Sequence, residues 1–392
     1  MTKRWFISQT VGQAQHNRMR QLMNLKQVYQ WRDEIARHFL KLSKPQVFNL
    51  AAASLGVIAA RDCRLALVAE ELSVLGKAES VERRLRRLLD NEHLEREACQ
   101  KAWIRWVLRH FQGEAIVLLV DETKLGVHLA TMMVGLAYRQ RCIPLAWRCY
   151  PAQGTGPYPP EGQVALIVDL LRQVDEVLMG QMAVCVQADQ GIGTSPDLMR
   201  GVQALGWHYL FRIPGSCLVL LDGWQDCEVR SLVEKGGDWA GRGQVFKGDG
   251  WSLTMDLRLI WEAGYDQAWY LATNQPLLEG HEYGQRNWAE QSFRDLKSGG
   301  WKWDDSQVWQ ADHAERLILI LALAYACILN YGSLEADTTQ AVRANRKRVH
   351  PRLSIFRMGM RTVKEVLHHG FDLLCHFHFL LKPDCIPAQA FW

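Results

Sequence analysis

One short stretch of the chain limits its possible folds more than any other feature. Residues 114–123, EAIVLLVDET, form a continuous apolar run ending in acidic residues, which is typical of a central strand buried on both faces of a sheet. Two more strand-like stretches follow closely enough for hairpin connections. The later pattern predicts a helix near 163–178, a strand at 183–187, a helix near 198–205 and a strand at 207–213.

Three antiparallel strands followed by helix, strand, helix and strand is the order of an RNase H-like α/β fold, with a mixed five-stranded sheet flanked by helices. Residues 1–112 show apolar residues at helical spacing and predict a helical DNA-binding domain. Residues 113–214 and 281–332 are expected to form the catalytic core. Residues 215–280, rich in Gly, Trp and β-forming residues, predict a β-rich insertion domain, and 333–392 a helical C-terminal region.

Two aspartates stand at the ends of strands that are neighbours in this fold. Asp121 closes the first strand and Asp189 lies just beyond the fourth, so we expect their carboxylates side by side. A divalent cation relieves the repulsion between them most directly. The third acid is expected on a helix after the last strand, where Glu290 lies. Three carboxylates with no nearby His or Cys set favour two Mg²⁺ or Mn²⁺ ions and phosphodiester chemistry.

The predicted helix around the third acid carries cations on the same face. At about 100° per residue, Tyr283, Arg286, Glu290, Arg294 and Lys297 fall within an arc of about 80°. Cations that flank a metal ligand on one face are placed to bind a phosphate backbone as it enters the site.

Each of these residues also has a simpler interpretation. An aspartate after a strand is more often a turn or helix-capping residue than a metal ligand, and a polar helix face is usually only solvated. The site is assigned because the three acids occur together, at positions consistent with one fold and beside a cationic face.

The same residues carry a resemblance to a known family. Tyr283, Arg286, Glu290 and Lys297, spaced Y-x2-R-x3-E-x6-K, resemble the YREK signature of the bacterial insertion-sequence family four transposases. The passages VDET and QADQGIG around the two aspartates are similar to that family as well. The resemblance covers about residues 113–332.

This resemblance implies a DDE transposase in which Asp121, Asp189 and Glu290 are the catalytic metal ligands. Such an enzyme cleaves transposon-end double-stranded DNA at terminal inverted repeats, through a hairpin, and joins the ends to target DNA. Tyr283, Arg286 and Lys297 are then expected to contact DNA near the cleaved end. A homodimer is expected, because two transposon ends must be held together.

The family also stacks a flipped base on a tryptophan of its insertion domain. Trp261 and Trp269 lie in the predicted insertion, and an aromatic face is a sound platform for an extruded base. Most of the 16 tryptophans are expected to serve packing instead. Asn287 stands directly after Arg286, where related enzymes carry an aromatic residue.

The positive charge is concentrated in the N-terminal part. Residues 1–110 contain 20 Lys and Arg against 11 Asp and Glu, whereas the whole chain carries a net charge of only +4. In SVERRLRRLLDN, one apolar stripe leaves the remaining faces to Arg83, Arg84, Arg86 and Arg87. That pattern suits a helix that binds phosphate, and equally a solvated helix face. The basic patch at 343–352 has the same two interpretations.

The remaining features predict a cytoplasmic protein, located at the nucleoid when bound to DNA. The longest apolar run, 317–329, spans 13 residues, fewer than the ~20 of a membrane-spanning helix, and predicts a buried core helix. The N-terminus lacks the apolar region of a secretory signal, and the ten cysteines form no CxxC pair. The competing hypotheses are an RNase H-like nuclease without strand transfer and a domesticated, catalytically inactive DNA-binding protein.

Overall fold

The computed structural model describes residues 23–111, 115–152, 159–221, 226–249, 253–343 and 353–377. These residues form two compact units. The first unit extends to Glu95 and includes Leu296–Gln307 and the described part of Arg316–His378. The second contains Arg96–Asp295 and Val308–Glu315.

The helices and strands follow the predicted alternation in the middle of the chain. The helices are α1 Leu25–His38, α2 Lys44–Ala60, α3 Leu65–Glu71, α4 Ala78–Leu89, α5 Arg96–Arg109, α6 Gln163–Leu178, α7 Gln190–Gly193, α8 Pro196–Ala204, α9 Asn287–Leu296, α10 Ala311–Arg343 and α11 Ile355–His369. The strands are β1 Ala115–Leu125, β2 Leu129–Tyr138, β3 Arg141–Pro151, β4 Ala183–Ala188, β5 His208–Arg212, β6 Leu218–Leu220, β7 Cys227–Glu228, β8 Asp238–Val245, β9 Leu253–Ile260 and β10 Trp269–Thr273. Short 3-10 helices occur at Ser73–Leu75, Val229–Leu232, Lys247–Asp249, His281–Arg286 and Trp303–Asp305.

The first unit is helical, and its first described helix, α1, begins at a capping box. The Asn24 side chain accepts from the Gln27 amide while the Gln27 side chain accepts from the Asn24 amide, which closes a capping box at α1. The Gln27 side chain also donates to the carbonyls of Val366 and Phe371, at the end of α11. The C-terminal helix therefore belongs to this unit, whereas the sequence predicted a separate region from residue 333.

Helix α10 is the buried apolar helix expected at 317–329, and it is longer than expected. Its segment Ala311–Thr338 has the length and hydropathy of a membrane span, yet 94% of its most apolar window is buried within the protein. The core helix of a soluble protein has the same properties. Gly332 lets it contact α11 directly, because a Cβ there would lie 1.8 Å from the carbonyl oxygen of Ile355.

The second unit is built on one mixed sheet with the order β3-β2-β1-β4-β5-β10-β9-β8-β6-β7. Strand β1 is antiparallel to β2 and parallel to β4, with Val120 opposite Ala188. The prediction that the first and fourth strands are neighbours is confirmed. The protein thus has a mixed α/β fold with helices at both ends of the chain.

The sheet has ten strands among the described residues, not the five that the sequence predicted. Strands from 215–280 extend it, because β10 pairs antiparallel with β5, with Thr273 opposite Leu210. An edge strand leaves backbone donors and acceptors unpaired, and the returning chain satisfies them. The predicted insertion is therefore continuous with the core sheet.

The boundary predicted at residue 112 also lies elsewhere. Helix α5 belongs to the second unit, because two of its buried side chains hydrogen-bond to β3. The Trp103 indole donates to the Pro144 carbonyl at 2.7 Å, and the Gln100 amide to the Trp147 carbonyl at 2.8 Å. Burial of these polar groups requires such partners, which fixes the helix on the sheet.

Candidate active site

The two aspartates meet as the strand order predicts. Asp121 lies on β1 and is 7% exposed. Asp189 directly follows Ala188, the last residue of β4, which pairs with Val120 in the parallel ladder. Each aspartate thus lies one residue beyond the last β1–β4 pair, and both side chains contact the same guanidinium. Asp121 does not close its strand as predicted, because β1 continues to Leu125 in its pairing with β2.

Asp189 has the helix-capping role that the sequence allowed, and its second oxygen faces Arg286. Its Oδ1 accepts from the Ile192 amide at 3.0 Å and caps the single turn α7, while Oδ2 faces Arg286 at 3.3 Å. The turn packs closely on β5, since a Cβ at Gly193 would lie 2.8 Å from Cβ of Phe211. The cap therefore fixes the carboxylate in the orientation in which it meets the arginine.

The segment that carries Glu290 differs from the single α-helix predicted from about residue 282. Residues His281–Arg286 form a 3-10 helix, and α9 begins only at Asn287 and ends at Leu296. The tight turn starts at Gly280, whose φ of 101° favours glycine, and the Tyr283 amide donates to the Gly280 carbonyl at 3.1 Å. The predicted α-helical face is therefore interrupted, because two of its five residues precede α9 and Lys297 follows it.

Arg286 lies among the three acids. Its Nη2 is 3.0 Å from Asp121 Oδ1 and 3.3 Å from Asp189 Oδ2, and its Nη1 contacts Glu290 Oε1. The guanidinium side chain is only 12% exposed. The predicted contact between Arg286 and DNA stays a prediction, and in this structure its guanidinium pairs with the three carboxylates.

The electrostatics of the site are dominated by burial and by the arginine. Burial, aided by the charges of Asp189 and Glu290, raises the pKa of Asp121 to about 6 against the lowering effect of Arg286. Burial alone would lower the pKa of the Arg286 guanidinium, but the nearby carboxylates outweigh it and the net shift is upward. Arg286 thus offsets only part of the cost of burying the Asp121 charge, whereas the side chains of Asp189 and Glu290 are partly exposed to solvent.

No three His, Cys, Asp or Glu side chains in the described ranges lie close enough together to hold a metal ion. The contacts of Arg286 give the physical reason at this site, because a guanidinium stands between the carboxylates. All three nevertheless point at one cation, and carboxylate oxygens are the ligands that Mg²⁺ and Mn²⁺ prefer. The three carboxylates are therefore the right type of ligand for these ions.

Tyr283 is buried, and it anchors the 3-10 segment. Its hydroxyl donates to the Ala188 carbonyl at 3.3 Å, and its ring meets Trp269 edge-on with centroids 5.4 Å apart. Burial raises the pKa of the phenol well above its usual range. The predicted contact between Tyr283 and DNA stays a prediction, while its contacts here are structural.

The other residues of the predicted DNA-binding set lie in varied surroundings. Arg294 is exposed on α9, and Lys297 is half-buried just beyond that helix. Trp261 is half-buried after β9, with its indole donating to the Tyr265 carbonyl at 3.0 Å. Trp269 packs against the apolar cluster around Tyr283. The predicted contacts of these residues with DNA stay predictions.

The arginines of α4 surround the apolar stripe that the sequence predicted. Val81, Leu85, Leu88 and Leu89 are buried, whereas Arg83, Arg86 and Arg87 are exposed and Arg84 is half-buried. Arg86 pairs with Glu82 at 2.6 Å. An exposed pair of this kind holds its partners weakly and leaves the arginines accessible to phosphate. Of the basic patch at 343–352, residues 344–352 lie outside the described residues.

Sequence analysis missed the residues that fasten this site. The Gln187 amide in β4 donates to the Glu282 carbonyl at 3.0 Å, and Arg141 of β3 pairs with Asp295 of α9 at 2.5 Å. Ser292 of α9 accepts from the Cys142 amide at 2.7 Å. A glutamine inside a buried strand is a usable signal, because a buried amide requires partners. The pairing of Arg141 with Asp295 has no local signal.

Comparison of the sequence with protein-family models and with curated proteins finds no match. The transposase resemblance therefore remains one of motifs and spacing, and the functional argument depends on the geometry of the site.

Proposed function

We propose that the chain is a DDE-type DNA transposase that cleaves transposon ends at terminal inverted repeats and joins them to target DNA. The observation that carries the proposal is the convergence of Asp121, Asp189 and Glu290 on one cation. The three acids come from β1, the end of β4 and α9, which are far apart in sequence. Like charges held close together repel one another, and such clusters are typical of functional sites.

The sheet supports an RNase H-like core within this fold. Strands β3-β2-β1-β4-β5 have the order and directions expected of that core, and Asp121 and Asp189 lie on its two adjacent central strands. Strands β6 to β10 then correspond to the β insertion between the second aspartate and the glutamate, although they extend the same sheet.

Asp121, Asp189 and Glu290 would hold two Mg²⁺ or Mn²⁺ ions. When bound, such ions activate a water or a 3′-hydroxyl and stabilise the leaving oxygen of a phosphodiester. The protein holds these ligands in place. The β1–β4 ladder places the two aspartates next to each other, and the cap on α7 orients Asp189. The burial of Asp121 excludes water from one side of the site, and the exposed side chain of Glu290 leaves the other side open.

Basic residues outside the acidic cluster would hold the DNA. Arg83, Arg84, Arg86 and Arg87 are displayed on α4, as phosphate binding requires. Arg294 is exposed one turn beyond Glu290, and Lys297 and Trp261 retain their expected roles at the cleaved end and at the flipped base. A homodimer acting in the cytoplasm, without a membrane, completes the proposal.

The test uses the purified protein, Mg²⁺ and the DNA that flanks its gene, which should carry the terminal repeats. Alanine at Asp121, Asp189 or Glu290 should abolish end cleavage and strand transfer and leave DNA binding intact. Asp197→Ala is the matched control, because Asp197 is exposed and pairs with Arg200 at the surface. Full activity of any one acid variant would remove that residue from the site.

Pre-cleaved ends separate the competing functions. A transposase joins them to a target plasmid, whereas a nuclease without strand transfer gives only hydrolysis products. Sequence-specific binding without either product would show a catalytically inactive DNA-binding protein instead.

A further inference from the structure

The contacts of Arg286 identify it as the cation of the acidic cluster. Asp121, Asp189 and Glu290 each form a salt bridge with its guanidinium. The positive charge of Arg286 thus offsets three carboxylates that would otherwise repel one another. A divalent metal ion would bring a larger positive charge to the same carboxylates than the guanidinium does.

The guanidinium and metal ions compete for the same space. Mg²⁺ requires oxygen ligands at roughly 2.0–2.1 Å, whereas the carboxylate oxygens of Asp121 and Asp189 stand 3.0 and 3.3 Å from Nη2. The acids are accordingly too far apart to share an ion as they stand. They can close around metal only after the guanidinium has left.

Several contacts favour movement of the Arg286 side chain without movement of its backbone. Tyr283 is fixed to the Ala188 carbonyl, and the Gln187 amide holds the Glu282 carbonyl, so the 3-10 segment is fastened to β4. The Arg286 Nε–H, by contrast, is buried with no hydrogen-bond partner among the described residues. An unsatisfied buried donor weakens the hold on the guanidinium.

We propose that Arg286 is a built-in counter-ion that occupies the metal position in the resting protein and is displaced when metal binds. This inference rests on the proposed function and adds to it a competition between Arg286 and metal for the three carboxylates. A displaced guanidinium is free to bind a phosphate, which matches its planar fork of donors. Because coupling between two ligands is reciprocal, DNA phosphate that draws Arg286 away raises the affinity for metal, and metal raises the affinity for DNA. The site therefore binds metal more weakly in the absence of DNA than in its presence.

The first experiment measures Mn²⁺ binding to the DNA-free protein by calorimetry. Arg286→Ala should bind Mn²⁺ about tenfold more tightly than the unmodified protein, within the usual range of coupling between sites. Arg286→Lys, which keeps the charge, should fall between them, and the surface-arginine control Arg200→Ala should change nothing. Equal or weaker binding by a folded Arg286→Ala protein would overturn the inference.

The second experiment uses the unmodified protein, so it does not depend on the variant folding. Phenylglyoxal modifies exposed guanidinium groups, and peptide mass spectrometry gives the rate at Arg286, with Arg200 as internal reference. Adding Mg²⁺ should raise the rate at Arg286 several-fold and leave Arg200 unchanged. An unchanged or slower rate at saturating Mg²⁺ would show that the guanidinium stays in place. If neither the protein nor Arg286→Ala binds Mn²⁺ at all, the metal-dependent function itself fails.

Discussion

Replacing the buried acid of the site by its neutral isostere should stabilise the metal-free protein. Asp121 is buried, and its pKa of about 6 lies above the ordinary value of 3.8, so the fold disfavours its charged form even with Arg286 beside it. In Asp121→Asn the side-chain oxygen can still accept from the Glu122 amide, as Asp121 does at 2.9 Å, while the buried charge is gone. The substitution should therefore raise the free energy of unfolding at neutral pH.

The size of the effect follows from the shift in pKa. Between the two pKa values the folded protein binds the proton and the unfolded chain does not, so stability falls as the pH rises from 3.8 through about 6. A shift from 3.8 to about 6 corresponds to about 3 kcal/mol above about pH 7. Asp121→Asn has no carboxyl group to ionise and does not lose this stability as the pH rises. Its free energy of unfolding should exceed that of the unmodified protein at high pH and nearly equal it at about pH 4, where Asp121 is protonated in the fold.

Urea unfolding in the presence of EDTA, at about pH 4 and about pH 8, measures this difference directly. Asp197→Asn is the control, since the exposed pair with Arg200 should contribute less than about 1 kcal/mol at either pH. A destabilised Asp121→Asn protein at the higher pH, or a difference that does not change with pH, would refute the reasoning. The same variant should lose Mg²⁺-dependent cleavage, since it lacks a ligand.

Two single substitutions test the fold, and neutralisation of the arginines of α4 tests the proposed DNA-binding surface. Arg141→Met removes the buried guanidinium that pairs with the Asp295 carboxylate and should lower the free energy of unfolding by about 3–5 kcal/mol. Gly332→Ala places a Cβ 1.8 Å from the Ile355 carbonyl and should lower the melting temperature clearly, whereas Gly248→Ala, with no heavy atom within 4 Å, should not. Neutralising the exposed arginines of α4 should weaken DNA binding and flatten its salt dependence by up to ~0.9 in log–log slope for each phosphate that is no longer neutralised; an unchanged slope would place the DNA elsewhere.

The part of the fold that sequence predicted is the part encoded by local patterns. Apolar runs located β1 to β5, and the spacing of apolar residues located α6 and α8, because strand and helix periodicity are properties of neighbouring residues. The pairing of β10 with β5 was not predicted, since nothing within either strand specifies a partner across 56 intervening residues. The 3-10 helix before α9 was missed for a related reason, as its geometry depends on the buried anchor at Tyr283.

The role of Arg286 shows the same limit within the site. An arginine four residues before a glutamate has the spacing of an ion pair on a helix surface and equally that of a phosphate-binding face. Sequence favoured the second use because it places Asp121 and Asp189 beside each other but not beside the arginine. The sheet brings both aspartates within 3.3 Å of the guanidinium. Arg286 then has three carboxylate partners, which together hold its side chain more strongly than solvent would. Under the proposed displacement of Arg286 by metal, the two uses are successive states of one side chain, and the ligand that binds the carboxylates determines which state is populated.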